Sequence, residues 1–500
     1  MRSKGLIAFP ILFLLLLLVT VTAAAEDSLR VRSCRPSGPP SGSPRGGRAL
    51  TSSPLGGSRR GGHASYVGNR RQLVILVSFS DQRFLEADPL PLWHRVFNEE
   101  HFSESPFRGS VHDYFVDQSD GRFRLTFDLQ YVHSQEERQK YRSTAYDDEN
   151  SALLVSDLVD TLRTRDVDWD AYDWNADGYV DQLLIIYAGK GQNAGGGSNT
   201  IWPHQWWLSQ HKGGKALTVT SGGSEYKVDS YCCVQELYSD GSYGSFGTIC
   251  HEYSHCFGFP DLYSNVSYVH AWDLMDYGNN NGGGFCPPNY SALERMLVGW
   301  LDPTELNAPA TVDGMAAGEA YIVRNDGWAD EFYMVENRQQ LGWDAALPGS
   351  GIVIAHVDYD QELWEGITGL VNFSSHQHYT IFPANNSTSR SRIDGWAYPY
   401  GGNASLTNTS APAATLLNAN ADGTYFMSKP ITNITVDGGL ASFDFMKDAP
   451  DGISVQTRGK GQTRVFSPQG YQLAGDIGQQ PAGLYIVVGS DGTTRKIVKR

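Results

Sequence analysis

The spacing of apolar and polar positions changes several times along this chain, and the changes divide it. QLVILVSFSD, residues 72–81, is a nearly continuous apolar run with β-branched residues, which predicts a buried strand. Helical spacing follows around 90–100 and 111–118, and FRLTFDLQYV, 123–132, alternates at period two as a half-buried strand does. A longer helical pattern covers about 149–163. QLLIIYAG, 182–189, is another buried strand, after which a Gly-rich loop leads into the aromatic IWPHQWWL, a strand or sheet edge. From about 306 the pattern becomes short strands between Gly, Pro and Asn turns, among them AYIVRN, EFYMVENR and GIVIAHVDYD. The chain is therefore expected to be α+β. A helix-containing domain spans 64–305, a β-rich domain 306–448, and a small β appendage with a basic end 449–500.

The N-terminus adds a compartment. MRSKGLIAFPILFLLLLLVTVTAAAED carries basic residues, an apolar run and an Ala23-x-Ala25 site, so residues 1–25 read as a signal peptide and the mature chain as secreted or held at the cell surface. Nothing else reaches spanning length, so no membrane span is expected in the mature form. Residues 26–63, rich in Gly, Ser, Pro and Arg, hold too few apolar side chains to offset chain entropy and read as a flexible leader or pro-segment.

Composition narrows the partners. A formal net charge of −16 argues against nucleic acid and anionic membranes. Export permits disulfides, yet Cys232, Cys233, Cys250, Cys256 and Cys286 make an odd cluster while Cys34 stands apart. Either one clustered thiol is left over or Cys34 pairs with it.

The candidate chemistry lies in HEYSHCFGFPDLY, residues 251–263. His251 and His255 stand four apart in a segment, about 244–257, that supports a helix, so both imidazoles leave one face and can share a metal. Glu252 lies beside them, placed to take a proton from water. Gly258 can end the helix and turn the chain sharply back, which brings residue 261 to the same metal. Asp261 is then either the third ligand or an aspartate that closes a turn after Pro260. Two neutral imidazoles and one carboxylate would leave an open fourth position on a tetrahedral zinc, as catalytic sites require.

The extended pattern HExxHxxGxPDLY, followed after a short loop by WDLMDYG, resembles the immune inhibitor A-like metallopeptidases, secreted zinc proteases related to the metzincins. The likeness covers most of 71–358 through SVHDYFVDQSDGRF, DWNADGYVDQLLIIYAGKG, IWPH, PPNYSALERMLVGWL and LPGSGIVIAHVDYD. It implies a zinc endopeptidase acting on extracellular protein, with a metzincin-like catalytic domain of mixed sheet and active-site helix and a β-rich domain behind it. By position it implies His251, His255 and Asp261 as zinc ligands, Glu252 as general base and Met275 as the methionine of the turn below the metal. Tyr277 is either a zinc- or oxyanion-binding tyrosine or a packed core residue; His204 and His356 read as structural.

Three further signals stand outside that motif. DWNADGYVD offers the oxygen ligands of a structural calcium loop in Asp173, Asn175, Asp177, Tyr179 and Asp181, with Gly178 at the sixth position. Leu184 stands where an EF-hand has its glutamate, and a plain Asx-rich turn is the alternative. GLYIVVGSDGTTRKIVKR is similar to sorting domains of cargo exported by bacterial type IX secretion, which makes that machinery an expected partner. Triplets at Asn372, Asn403, Asn408 and Asn433 would be glycosylation sites in a eukaryotic host. Two other functions compete with the protease: a zinc hydrolase or binding protein acting on glycoproteins, and a non-catalytic surface adhesin. The intact His251, Glu252, His255, Asp261 and Met275 count against the adhesin.

Overall fold

The computed structural model describes residues 66–143, 149–211, 213–263, 269–364, 371–372, 376–447, 463–489 and 493–499. The expected signal peptide, the leader, Cys34 and the boundary near 448 lie outside the described residues.

Among the described residues of the first half there are eight strands: β1 (Gly68–Ser78), β2 (Phe123–His133), β3 (Tyr179–Val180), β4 (Leu183–Lys190), β5 (His204–Trp207), β6 (Leu217–Ser221), β7 (Ser224–Val228) and β8 (Ser230–Leu237). Five form one sheet in the order β2-β1-β4-β8-β5. The first four run parallel, and β5 is an antiparallel edge, so the aromatic IWPHQWWL stretch does end the sheet. β3, β7 and β6 make a small separate sheet.

The unbroken apolar runs have a direct cause. Along β1, Val74 and Leu76 join one buried cluster while Leu73, Ile75 and Val77 join another on the opposite face. The same alternation divides Leu184 and Ile186 from Leu183 and Ile185 on β4, and Cys232 from Cys233 on β8. Strands covered on both faces carry no polar positions in their pattern.

Helices α1 (Leu90–Asn98), α2 (Val111–Gln118), α4 (Phe246–Ser254) and α5 (Ala292–Leu297) pack their apolar residues into the first cluster. α3 (Glu149–Leu162) packs Leu154, Val155, Leu158 and Val159 into the second. Ser110 starts α2 through a reciprocal capping box with Asp113, which explains the SVHD signal.

The second half is β-rich. It holds β9 (Thr304–Glu305), β10 (Ala310–Met315), β11 (Ala320–Arg324), β12 (Glu331–Arg338), β13 (Gly351–Asp358), β14 (Tyr379–Ile381), β15 (Ile431–Asp437) and β16 (Leu440–Phe445). The order is β14-β13-β12-β11-β9 in one sheet and β10-β16-β15 in another. One face of the five-stranded sheet, through Phe332, Met334, Val353, Ala355 and Val357, belongs to the same apolar cluster as α4. Its other face, through Tyr333, Val335, Ile352 and Ile354, packs with Val312, Ile434 and Phe443 of the three-stranded sheet. A last sheet, β18-β17-β19-β20, is built from β17 (Arg464–Phe466), β18 (Gln472–Leu473), β19 (Gly483–Val488) and β20 (Thr494–Lys499). The whole is a mixed α+β structure with several sheets and few helices. Among the described residues no helix is long and apolar enough to cross a membrane.

Candidate functional site

α4 follows β8 and is buried along its entire length. Nothing on it faces bulk water, so its polar residues must be satisfied by the protein or by what they bind. Its first turn is pressed against residue 279: a Cβ on Gly247 would stand 2.0 Å from the Asn279 carbonyl oxygen, so only glycine fits there. The helix tightens into a 3-10 turn over His255–Phe257 and stops at Gly258, whose φ of +89° is left-handed. Past that turn the chain doubles back and presents Asp261 to the two histidines.

The imidazoles are fixed by backbone carbonyls. His251 Nδ1 lies 2.8 Å from the Leu274 oxygen and His255 Nδ1 lies 2.7 Å from the Phe259 oxygen. A carbonyl only accepts, so both rings carry their proton on Nδ1 and turn the Nε2 lone pair toward Asp261. Asp261 Oδ1 is 3.2 Å from His251 Nε2 and 3.5 Å from His255 Nε2. The other carboxylate oxygen accepts a hydrogen bond from the Tyr263 hydroxyl at 2.9 Å. Glu252 is buried on the same helix, with Oε2 3.9 Å from His255 Nε2.

These residues fit a metal ion. Buried His251 Nε2 and Asp261 Oδ1 have no hydrogen-bond partner, an expensive arrangement unless the two acceptors converge on a cation. Ligand atoms about 2.05 Å from a tetrahedral ion lie about 3.3 Å apart, and the two measured edges bracket that value. Electrostatics agree. Burial alone would lower the His251 pKa, but the adjacent Asp261 carboxylate and the charge of Glu252 carry it up to about 9. His255 moves down, chiefly through burial. The pocket thus favours one added positive charge.

The remaining candidates fall around this centre. Met275 is fully buried, its carbonyl accepts the Leu262 N–H at 2.9 Å, and its own N–H donates to Asp273 at 2.8 Å. The 274–275 turn thereby holds both the His251 ring and the Asp261 loop. Tyr277 is partly exposed, with its ring 4.8 Å from that of His270. His204 contacts the Trp202 carbonyl and the Tyr231 hydroxyl, and His356 lies 2.7 Å from Glu331 Oε1; both sit in buried polar networks.

The 173–181 loop is an Asx-rich turn. Asp173 accepts the N–H groups of Asp177 and Gly178, Asn175 also accepts that of Asp177, and Asp177 accepts that of Tyr179. Asp181 is buried, accepts the Trp174 N–H at 2.6 Å, and has its pKa pushed up to about 8 by burial and then by Asp177 and Asp173.

Two sequence expectations change. Cys232 and Cys233 on β8, Cys250 on α4, Cys256 in the turn that follows it, and Cys286 are buried thiols and form no disulfide with one another. Asn372 is fully buried: its side-chain amide donates to Leu262 O at 3.0 Å and Tyr379 O at 2.8 Å, which leaves it no access for glycosylation. Sequence reading missed Asn372 as a clamp on the residue beside Asp261, since no local pattern marks such a contact. It also missed His376 and His378, although the HQH spacing was visible.

Comparison with known proteins finds a family match over the segment that holds this site. Residues 62–296 match the model of the immune inhibitor A peptidase M6 catalytic domain. Immune inhibitor A of Bacillus thuringiensis subsp. alesti is 26% identical over 299 residues, covering 49% of this chain and 43% of that protein. Pre-pro-metalloprotease PrtV of Vibrio cholerae serotype O1 is 29% identical over 182 residues, covering 30% of this chain and 19% of that one. The matches thus span less than half the length of these relatives. Residues 62–296, which hold the whole His251–Asp261 constellation, thus match a peptidase M6 domain of the immune inhibitor A kind.

Proposed function

We propose that the chain is a secreted zinc-dependent endopeptidase that hydrolyses peptide bonds of extracellular proteins. The observation that carries this reading is the convergence of His251 Nε2, His255 Nε2 and Asp261 Oδ1 at coordination-edge distances beside buried Glu252. His251, His255 and Asp261 would hold the metal. Zinc, when bound, supplies a Lewis acid that polarises the scissile carbonyl and acidifies water. Glu252 then takes a proton from the attacking water and returns it to the leaving amine nitrogen. Leu274 and Phe259 keep both imidazoles in the tautomer that points Nε2 inward. The test is incubation of the purified chain with casein and with an unrelated folded glycoprotein, with and without phenanthroline, followed by mapping of new termini. Phenanthroline-sensitive cleavage at peptide bonds supports the reading. Loss of glycan without new termini favours the glycoprotein hydrolase, and binding without either favours the adhesin.

In this reading 64–305 is the catalytic domain, 306–448 its β-rich support and 449–500 a sorting segment for type IX export. Tyr277 is assigned to the developing oxyanion. Tyr277 is exposed, so it is not the packed core residue of the alternative reading; Tyr277→Phe should lower kcat by about tenfold or more with little change in KM, and an unchanged kcat would reject the assignment.

Calcium is assigned to the 173–181 loop, where it would relieve the crowding of Asp173, Asp177 and Asp181. Without a cation, the raised pKa means that folded Asp181 keeps a proton which the unfolded chain gives up near its ordinary value, about 3.9. Stability should therefore fall as pH rises from about 4 toward 8, and calcium, which needs the ionised form, should restore it at the upper end. Asp181→Asn should flatten this pH dependence and remove most of the calcium gain. Melting curves in calcium and in chelator, at about pH 5 and about pH 8, check it; a full calcium gain in the variant would reject Asp181 as a ligand.

A further inference from the structure

A second cluster of ligating side chains lies at the end of the five-stranded sheet. Asp358 is the last residue of β13, and its N–H donates to the His378 carbonyl at 2.9 Å just before β14 begins, so the two residues are cross-strand neighbours. His376 precedes His378 by two positions, and the two rings stack at 4.2 Å, 12° from parallel. Asp358, His376 and His378 each bring one ligand atom to within 4.8 Å of the others. Asp358 Oδ2 lies 2.5 Å from His376 Nε2 and 3.7 Å from His378 Nδ1, while the Asp358 carbonyl oxygen lies 2.8 Å from that same Nδ1.

The surroundings hold the carboxylate in place. Asn418 donates to Asp358 Oδ1 at 3.0 Å, which leaves Oδ2 facing the histidines. Beneath it, Glu331 accepts from the Asn418 N–H at 2.9 Å and from the Asn325 side chain at 3.0 Å, and meets His356. Asp358 and His378 are buried, and Asp330 and Asp360 add negative charge within electrical reach.

We infer that Asp358, His376 and His378 form a second metal centre, separate from the His251–Asp261 site, for a transition-metal dication of the zinc class. Two imidazoles and one carboxylate suit zinc, nickel or copper and do not suit calcium or magnesium, which take oxygen. In the stack the ring planes run nearly parallel, so uptake of an ion turns the rings apart about χ2, a soft torsion in histidine. The centre would be structural. It would pin the 376–379 segment, which closes onto Asn372 through the Tyr379 N–H at 3.0 Å and the Gln377 side chain at 3.0 Å. Asn372 in turn holds Leu262, next to Asp261.

The experiment counts metal in the full chain after saturation with Zn2+ and gel filtration, by elemental mass spectrometry. The parent should hold two zinc ions per chain, H376Q/H378Q one, D261A one, and the triple variant none. Because each site is removed separately, zinc retained in D261A would count against the catalytic assignment without touching this one. H376Q/H378Q holding as much zinc as the parent overturns the second centre. Co2+ titration of the chelated protein supplies a second check: two equivalents bound by the parent support the centre, and a stoichiometry unchanged in H376Q/H378Q overturns it.

Discussion

Glu252→Gln should lower peptide hydrolysis by at least about a hundredfold, which corresponds to about 2.7 kcal/mol of barrier, while zinc content and the melting midpoint stay at parent values. Glutamine keeps the shape of the buried side chain and so preserves the packing of α4. It loses only the ability to take up a proton and hand it on. The carboxylate stands 3.9 Å from the His255 nitrogen and is sealed from bulk water, so no exposed buffer group can replace it easily. Initial rates on a fluorogenic peptide, normalised to zinc per chain, measure the effect. A variant as active as the parent would end the proposed mechanism.

Asp261→Ala should lower zinc affinity well beyond the tenfold to hundredfold loss, in round terms about 10 to 100, that follows when a group merely orienting a ligand is removed. It leaves two histidines on the ion and opens the edge at which Asp261 Oδ1 touches both rings. Tyr263→Phe supplies the contrast, because it removes only the hydrogen bond to the outer carboxylate oxygen and should stay inside that smaller range. Asp261→His restores a donor on a longer side chain and should keep metal better than alanine, in altered geometry. Replacing an anionic ligand by a neutral one adds one positive charge to the site. The water it activates then ionises at lower pH, and the acidic limb of the pH–rate profile should move down. Full zinc occupancy and normal activity in Asp261→Ala would mean that Asp261 only closes the turn.

Much of the catalytic framework is legible in the sequence because it follows period and punctuation. The runs at 72–81 and 182–189 are apolar throughout because both faces of β1 and β4 are covered, and the HExxH helix ends where Gly258 permits a left-handed turn. Other features have no such signature. The carbonyls of Leu274 and Phe259 belong to residues whose side chains say nothing about the histidines they hold. Asn372 lies 110 residues from its partner Leu262, and a sequon is the only pattern it displays. The change of pattern near 306 marks a change of secondary structure, but it hides the fact that Phe332, Met334 and Val353 complete the cluster around α4. Periodicity tells which positions are apolar and is silent on which surface meets them.

Under the proposed function, that shared cluster bears on how a protease survives its own company. A chain attacked by neighbouring copies is lost through the fraction that is transiently open when reclosing is fast, and through its unfolding rate when cleavage is faster. Two bodies joined by a polar hinge would part at little cost and expose their strand ends. Here separation of the second sheet would strip Phe332, Met334, Val353, Ala355 and Val357 from the core that holds the HExxH helix, so parting and inactivation are one event. Autolysis should therefore begin in loops and termini, and a nick between 305 and 310 should leave the pieces associated and the enzyme working.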